Sequence, residues 1–162
     1  KSMHAQIRGY MMHDFLAQKW QQQTKNKQII GNQGLHFVSF VLARKGFNVA
    51  ITSRNAKGAD ILIYNEGCSI VKTIQIKSIT IKQYINVGQT SEKFGPEPKL
   101  MCDYWVFVNL SYAYPRCSVY TKEELQPLVT VDNNPGKAGK WSWWLPSNVS
   151  DNCLDEWDKI QL

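Results

Sequence analysis

The chain lacks the spacings that hold a structural metal. Cys68, Cys102, Cys117 and Cys153 are far apart, and no Cys-x-x-Cys or His-x-x-x-His pair occurs. That argues against a zinc finger or ribbon and makes free, partly buried thiols the expectation. No cysteine has a neighbouring base in the sequence that would mark it as a nucleophile. No apolar run approaches the roughly 18 residues that cross a bilayer. Lys1–Tyr10 is polar and carries no leader pattern. These absences lead us to expect a cytoplasmic protein with no membrane partner. Acidic residues are also in short supply: 13 Asp and Glu against 19 Lys and Arg give a net charge of +6 over 162 residues. The excess suits a polyanionic partner, and equally a mildly basic soluble surface. No internal repeat is visible.

What is present is the patterning of one folded domain with mixed elements. Ala5–Gln23 has apolar residues at three- and four-residue spacing and reads as a helix. The polar run from Gln21 reads as its end and a linker. We therefore divide the chain into an N-terminal helix and linker, 1–27, and a main domain, 28–162. A second helix is expected from about Gln28 to Gly46, with Arg44-Lys45 and then Gly46 as its stop. The Gly31-x-x-Gly34 spacing would let another backbone come close. Strands are expected over Phe47–Thr52, Ala59–Tyr64 and Ser69–Ile81. Because Ile79 and Ile81 fall on the polar side of the last, a bend or bulge is expected past Lys77. Gln83–Lys99, with Gly88, Gly95, Pro96 and Pro98, reads as a long loop able to cover a site. Tyr104–Leu110 reads as a strand buried on both faces, and Cys117–Tyr120 as a short strand. Thr121-x-x-Glu124 is a capping box opening a helix to about Leu128. A loop over Asp132–Gly139, an extended segment with Trp141, Trp143 and Trp144, and a closing helix over Leu154–Ile160 complete the order. Helices before and after a block of strands imply an α/β or α+β layered fold.

The chemistry concentrates between Gly58 and Lys77. Asp60 stands at the head of one apolar strand, and the next strand carries Gln75-Ile76-Lys77. Residues two apart on a strand share a face, so Gln75 and Lys77 project together, and a hairpin would bring Asp60 against them. Oxygen ligands beside a fixed ammonium equip a site for metal-assisted phosphodiester hydrolysis. Arg54, Asn55 and Lys57 just before Asp60 read as phosphate contacts, or equally as a solvated basic turn. Lys93 and Lys99 would extend a basic rim. The tryptophans of 141–144 read as core or interface rather than base-stacking residues, and His13 and His36 as structural.

From Gly31 to Leu110 this pattern resembles the PD-(D/E)XK, or restriction-endonuclease-like, nuclease superfamily. The resemblance rests on Gly-x-x-Gly, an apolar helix, Lys-Gly-Phe-Asn-Val, then Arg-Asn-Ala-Lys-Gly-Ala-Asp-Ile-Leu-Ile and Ile-Gln-Ile-Lys-Ser. It implies a central mixed β-sheet flanked by helices, here with an extra N-terminal helix. It implies a Mg²⁺- or Mn²⁺-dependent endonuclease acting on nucleic acid, DNA first, often as a homodimer. Residue by residue, Asp60 matches the metal-binding acid, Gln75 stands where the second acid is usual, and Lys77 matches the motif lysine. Ile76 would add its backbone carbonyl to the metal. Where many relatives carry Glu after Gly-x-x-Gly, this chain has Leu35, with Gln33 and His36 nearby. The alternative is a catalytically degenerate relative that binds nucleic acid or a protein partner.

Overall fold

A computed structural model describes residues 25–53, 58–80, 84–91, 97–132 and 139–162. The helix expected over Ala5–Gln23 (with His13), the basic residues Arg54, Asn55 and Lys57, and Ile81 and Lys93 lie outside the described residues.

The first described helix, α1, spans Lys27–Arg44. Asn26 caps it, its side-chain oxygen accepting from the backbone N–H of Gln28 at 2.9 Å and of Ile29 at 3.4 Å. Gly46, at φ +93°, ends it as expected, and Phe47 N–H returns to the Leu42 carbonyl at 3.1 Å. Val38 and Leu42 are fully buried on one side of the helix. Of the two glycines, only Gly34 carries a close approach. A Cβ there would lie 2.1 Å from Ser78 Oγ, whereas Gly31 has open space.

Three strands follow, β1 (Asn48–Ile51), β2 (Ile61–Tyr64) and β3 (Val71–Ile79), paired antiparallel in sequence. The β2–β3 turn is tied by Asn65 Oδ1, which accepts from Ser69 and Ile70 N–H at 2.9 and 3.1 Å, with exposed Cys68 at φ +52°. β5 (Tyr104–Asn109) lies parallel to β3, and β6 (Arg116–Thr121) antiparallel to β5, giving the mixed sheet β1-β2-β3-β5-β6. A parallel pair needs a crossover, most often a helix. Here that connection runs through β4 (Ile85–Ser91), which belongs to a second sheet. The second sheet has the order β4-β8-β7, with β7 at Thr130–Val131 and β8 at Lys140–Leu145.

The protein is thus α/β, with one mixed sheet covered differently on its two faces. One face carries Ile61, Ile63, Ile74, Ile76, Val106, Val108 and Val119 and packs on α1, Trp157 and Ile160. The other carries Ile79, Trp105, Phe107 and Tyr120 and packs on the second sheet through Ile85, Val87, Trp143 and Leu145. β5 is buried at every position because it serves both cores. Of the expected flanking helices, α1 covers one face. The opposite face has chiefly β-structure, with the short helix α2 (Lys122–Leu125) inserting Leu125. The Thr121–Glu124 capping box is present, but α2 lasts one turn and continues as a 3₁₀ turn over Gln126–Leu128, as Pro127 at its start demands.

Three expectations are corrected. Gln83–Lys99 is not one long loop, since Ile85–Ser91 is a strand whose Ile85 and Val87 enter the second core. Gly88 belongs to that strand because a Cβ there would meet Trp143 Cε3 at 2.7 Å. β3 has no bulge after Lys77, since its pairing with β5 runs without a shift from Ile74↔Tyr104 to Ile79↔Asn109, and the chain bends beyond the strand, at Thr80. Ile79 is apolar on a polar-looking face because the second sheet covers it. The closing helix over Leu154–Ile160 is absent. Leu154 is exposed and bridges to Ser118, Cys153 and Asp155 have φ of +50° and +55°, and only Trp157–Lys159 makes a 3₁₀ turn.

Candidate active site

The β2–β3 pairing sets the site. Ile61 lies opposite Ile74, and Asp60 N–H donates to the Ile74 carbonyl at 2.9 Å, so Asp60 falls beside Gln75. With Ile61 and Ile74 turned to the α1 core, Asp60, Gln75 and Lys77 share the opposite face. Asp60 Oδ2 accepts from Ile76 N–H at 2.8 Å and from the side-chain amide of Gln75. Ile79 carbonyl accepts from Leu110 N–H, on the β5 side of β3. Ile74 and Ile76 therefore direct their backbone groups to the β2 side, and the Ile76 carbonyl leaves the strand on the edge where Asp60 sits.

The charges are held in a poorly hydrated place. Burial pushes the Asp60 carboxyl above the usual carboxylate range, opposed by the Ile76 N–H and by the Lys77 charge. Burial also pulls Lys77 below the ordinary lysine range, opposed by Asp60 and Cys102. The acid and the ammonium are coupled without forming a direct ion pair. Burial, with Asp60 beside it, pushes the Cys102 thiol up to about 11, so it stays protonated at neutral pH and is no nucleophile.

Beside these residues opens a cleft of about 280 Å³ lined by Thr52, Gly58, Ala59, Leu62, Thr73, Met101 and Cys102. Its wall is braced by Asp103. Asp103 Oδ2 accepts from Thr73 N–H at 2.8 Å and Thr73 Oγ1 at 2.6 Å, and Asp103 N–H returns to Thr73 Oγ1 at 2.9 Å. Burial alone would raise the Asp103 carboxyl, but these bonds and nearby Lys72 outweigh it and hold it low. Asp103 and Cys102 were not singled out from the sequence. They reach the site through the β3–β5 register, and no local pattern announces that.

The donor set offered to a cation is all oxygen: the Asp60 carboxylate, the Ile76 carbonyl and the Gln75 amide oxygen. That suits a hard divalent ion such as Mg²⁺, with one negative charge where two are common. As placed, Gln75 gives Asp60 its nitrogen, so it would have to turn its amide to offer oxygen. Among the described residues no group of three His, Cys, Asp or Glu side chains converges. Leu35 packs against the α1 core, and Gln33 and His36 are exposed on the helix, so α1 supplies no acid to this face.

Comparison with protein-family models, with curated proteins and with solved structures found no match.

Proposed function

We propose that this chain is a metal-dependent nuclease with a restriction-endonuclease-like core, hydrolysing DNA phosphodiester bonds at Asp60, Gln75 and Lys77. The observation that carries the reading is the convergence of a half-buried carboxylate, a side-chain amide and a desolvated lysine on one sheet face beside an open cleft. The antiparallel β1-β2-β3 unit followed by a strand parallel to β3 supports it. Asp60, the Gln75 amide oxygen and the Ile76 carbonyl would hold Mg²⁺ or Mn²⁺. The bound ion would supply charge neutralisation to the scissile phosphate. Asp60 is kept in place by Ile76 N–H, which donates to one carboxylate oxygen. Lys77 provides a cation in low dielectric, where its attraction for an attacking hydroxide or a developing phosphorane is strongest. Burial restrains its flexible stem, so little entropy remains to be lost on meeting the phosphate.

A second reading has its own observation. Gln75 gives Asp60 a nitrogen, and among the described residues Asp60 is the one carboxylate that acts on the motif lysine. That arrangement suits a degenerate site in a nucleic-acid-binding or protein-interaction module. The two are separated by incubating supercoiled, linear, single-stranded and branched DNA with the protein and Mg²⁺ or Mn²⁺, beside Lys77→Met. Cutting by the wild type, lowered at least a hundredfold in turnover in the variant with binding retained, supports the nuclease. No cutting in either metal, with no calorimetric Mn²⁺ binding that depends on Asp60, leaves the second reading.

A further inference from the structure

The open sheet β1-β2-β3-β5-β6 has two edges, and the chain treats them differently. The β6 edge is capped by the C-terminal segment. Val119 N–H donates to the Cys153 carbonyl at 3.0 Å, and Asp155 N–H to the Cys117 carbonyl at 2.8 Å. Cys153 and Asp155 hold left-handed backbone in that cap, at φ +50° and +55°, a costly conformation for residues other than glycine. The β1 edge has no second neighbour among the described residues. Thr52 N–H donates to the Asp60 carbonyl at 3.0 Å. By alternation Asn48 and Ala50 aim their backbone groups at β2, and Val49 and Ile51 aim theirs outward. Natural sheets blunt such edges with lysine, proline or a bulge. Residues 47–53 contain no charge, no proline and no glycine, and β1 meets β2 without a register shift. Ile51, at the rim, is 46% exposed.

We propose that β1 is the contact between two copies of this chain, paired antiparallel across a two-fold axis at Ala50. Charge and register choose that occupant. A chain of net charge +6 meets its own copy at least cost on an uncharged surface, and the β1 rim is one. Centring the axis on Ala50 sets Val49 opposite Ile51 of the partner subunit. Every outward N–H and C=O of the strand then finds a mate without reaching beyond the strand. The exposed Ile51 side chain is covered on the α1 side, and Ala50 lies opposite its own copy. An extended peptide of another protein could take the same hydrogen bonds, but the strand carries no charge to select it. The pairing joins two five-stranded sheets into one. Both Asp60 faces then lie on the same side, five strand spacings or about 24 Å apart. The contact does not depend on either site being catalytic.

The test is sedimentation equilibrium of the full chain, with disulfide trapping alongside. The wild type should sediment at twice its 18.6 kDa mass. Ile51→Lys leaves an unpaired charge against the partner strand. It should weaken the dimer about tenfold or more while far-ultraviolet dichroism stays unchanged. Trapping reads the register and needs no destabilising substitution. Residues facing each other at a non-hydrogen-bonded antiparallel position have Cα atoms roughly 4.5 Å apart, within disulfide reach. With exposed Cys68 replaced by Ser, Ala50→Cys should give a reducible covalent dimer in oxidised glutathione. Val49→Cys in the same background faces Ile51 rather than itself and should not. The proposal is overturned by a wild type that sediments as a monomer, by a dimer that Ile51→Lys leaves intact, or by trapping at Val49 as readily as at Ala50.

Discussion

At the scale of single residues, the proposed function and stability would pull Asp60 and Lys77 in opposite directions. Folding raises the Asp60 carboxyl above its unfolded value, so the folded state binds more protons than the unfolded one. Stability is then fully present below the unfolded carboxylate range and falls as pH rises through the folded value. Asp60→Asn removes that ionisation and should raise the melting temperature at pH 7, with the gain vanishing near pH 3; a calorimetric pH series reads it. Lys77 is lowered instead, so its burden lies below its folded value and eases as pH rises towards the ordinary lysine range. A residue pair whose neutral replacements stabilise the fold and abolish turnover is what a strained site presents, unlike a structural ion pair. Gln75→Glu would place a second carboxylate beside Asp60. It should raise Mn²⁺ affinity about tenfold or more by calorimetry and lower stability without metal, because two buried like charges repel. This trio was legible in the sequence because a strand's period of two is unambiguous and the hairpin around Asn65 is short. The direction of the Gln75 amide was not, since it depends on what the neighbouring oxygen accepts.

At the scale of elements, the helix is docked by one missing side chain. Gly34 brings α1 against Ser78 of β3, with Val108 Cβ 3.4 Å from where a Cβ would sit. Ser78 Oγ is buried and, among the described residues, has no hydrogen-bond partner, so it gains no hydrogen bond from its position. Gly34→Ala should cost about 1–3 kcal/mol by overpacking. The cost should shrink in a Ser78→Ala background; urea melts of the four proteins in the cycle measure it. Elements with strong local signals were readable: Gly46 at the end of α1, the Thr121 capping box, and the fully apolar 104–108 run; the Asn26 cap was not singled out. β4 was not, because Gly88 and the glycine–proline stretch after it look like a loop until Trp143 is known to lie across the strand. The three-residue spacing of Leu154, Trp157 and Ile160 suggested a helix, yet left-handed backbone at Cys153 and Asp155 folds the segment back to β6. Cys153 gives no sign of that conformation, and Asp155 carries only the mild enrichment of Asp in it.

At the scale of the whole molecule, β5 makes the two cores one. Phe107 is fully buried between the central sheet and the second sheet, while Val106 and Val108 beside it face α1. Phe107→Ala should cost about 3–5 kcal/mol. Tryptophan fluorescence, which reports on both cores through Trp105, Trp143 and Trp157 among the six tryptophans, and far-ultraviolet dichroism should still lose signal together in urea; separate transitions would mean that the second sheet unfolds on its own. The layered α/β class was visible from element order. The second sheet was not, because its strands are scattered between Ile85 and Leu145 and their pairing leaves no local trace. That scattering has a consequence for how the protein is made. Among the described residues β4 pairs with β8 alone, Ile85 opposite Leu145 and Ser91 opposite Lys140, so its hydrogen-bonding edge has no mate while the intervening segment is being synthesised. At about 5–20 residues added per second, a nascent chain carries β4 unpaired for seconds. During that interval the strand is open to a chaperone, or to another chain doing the same.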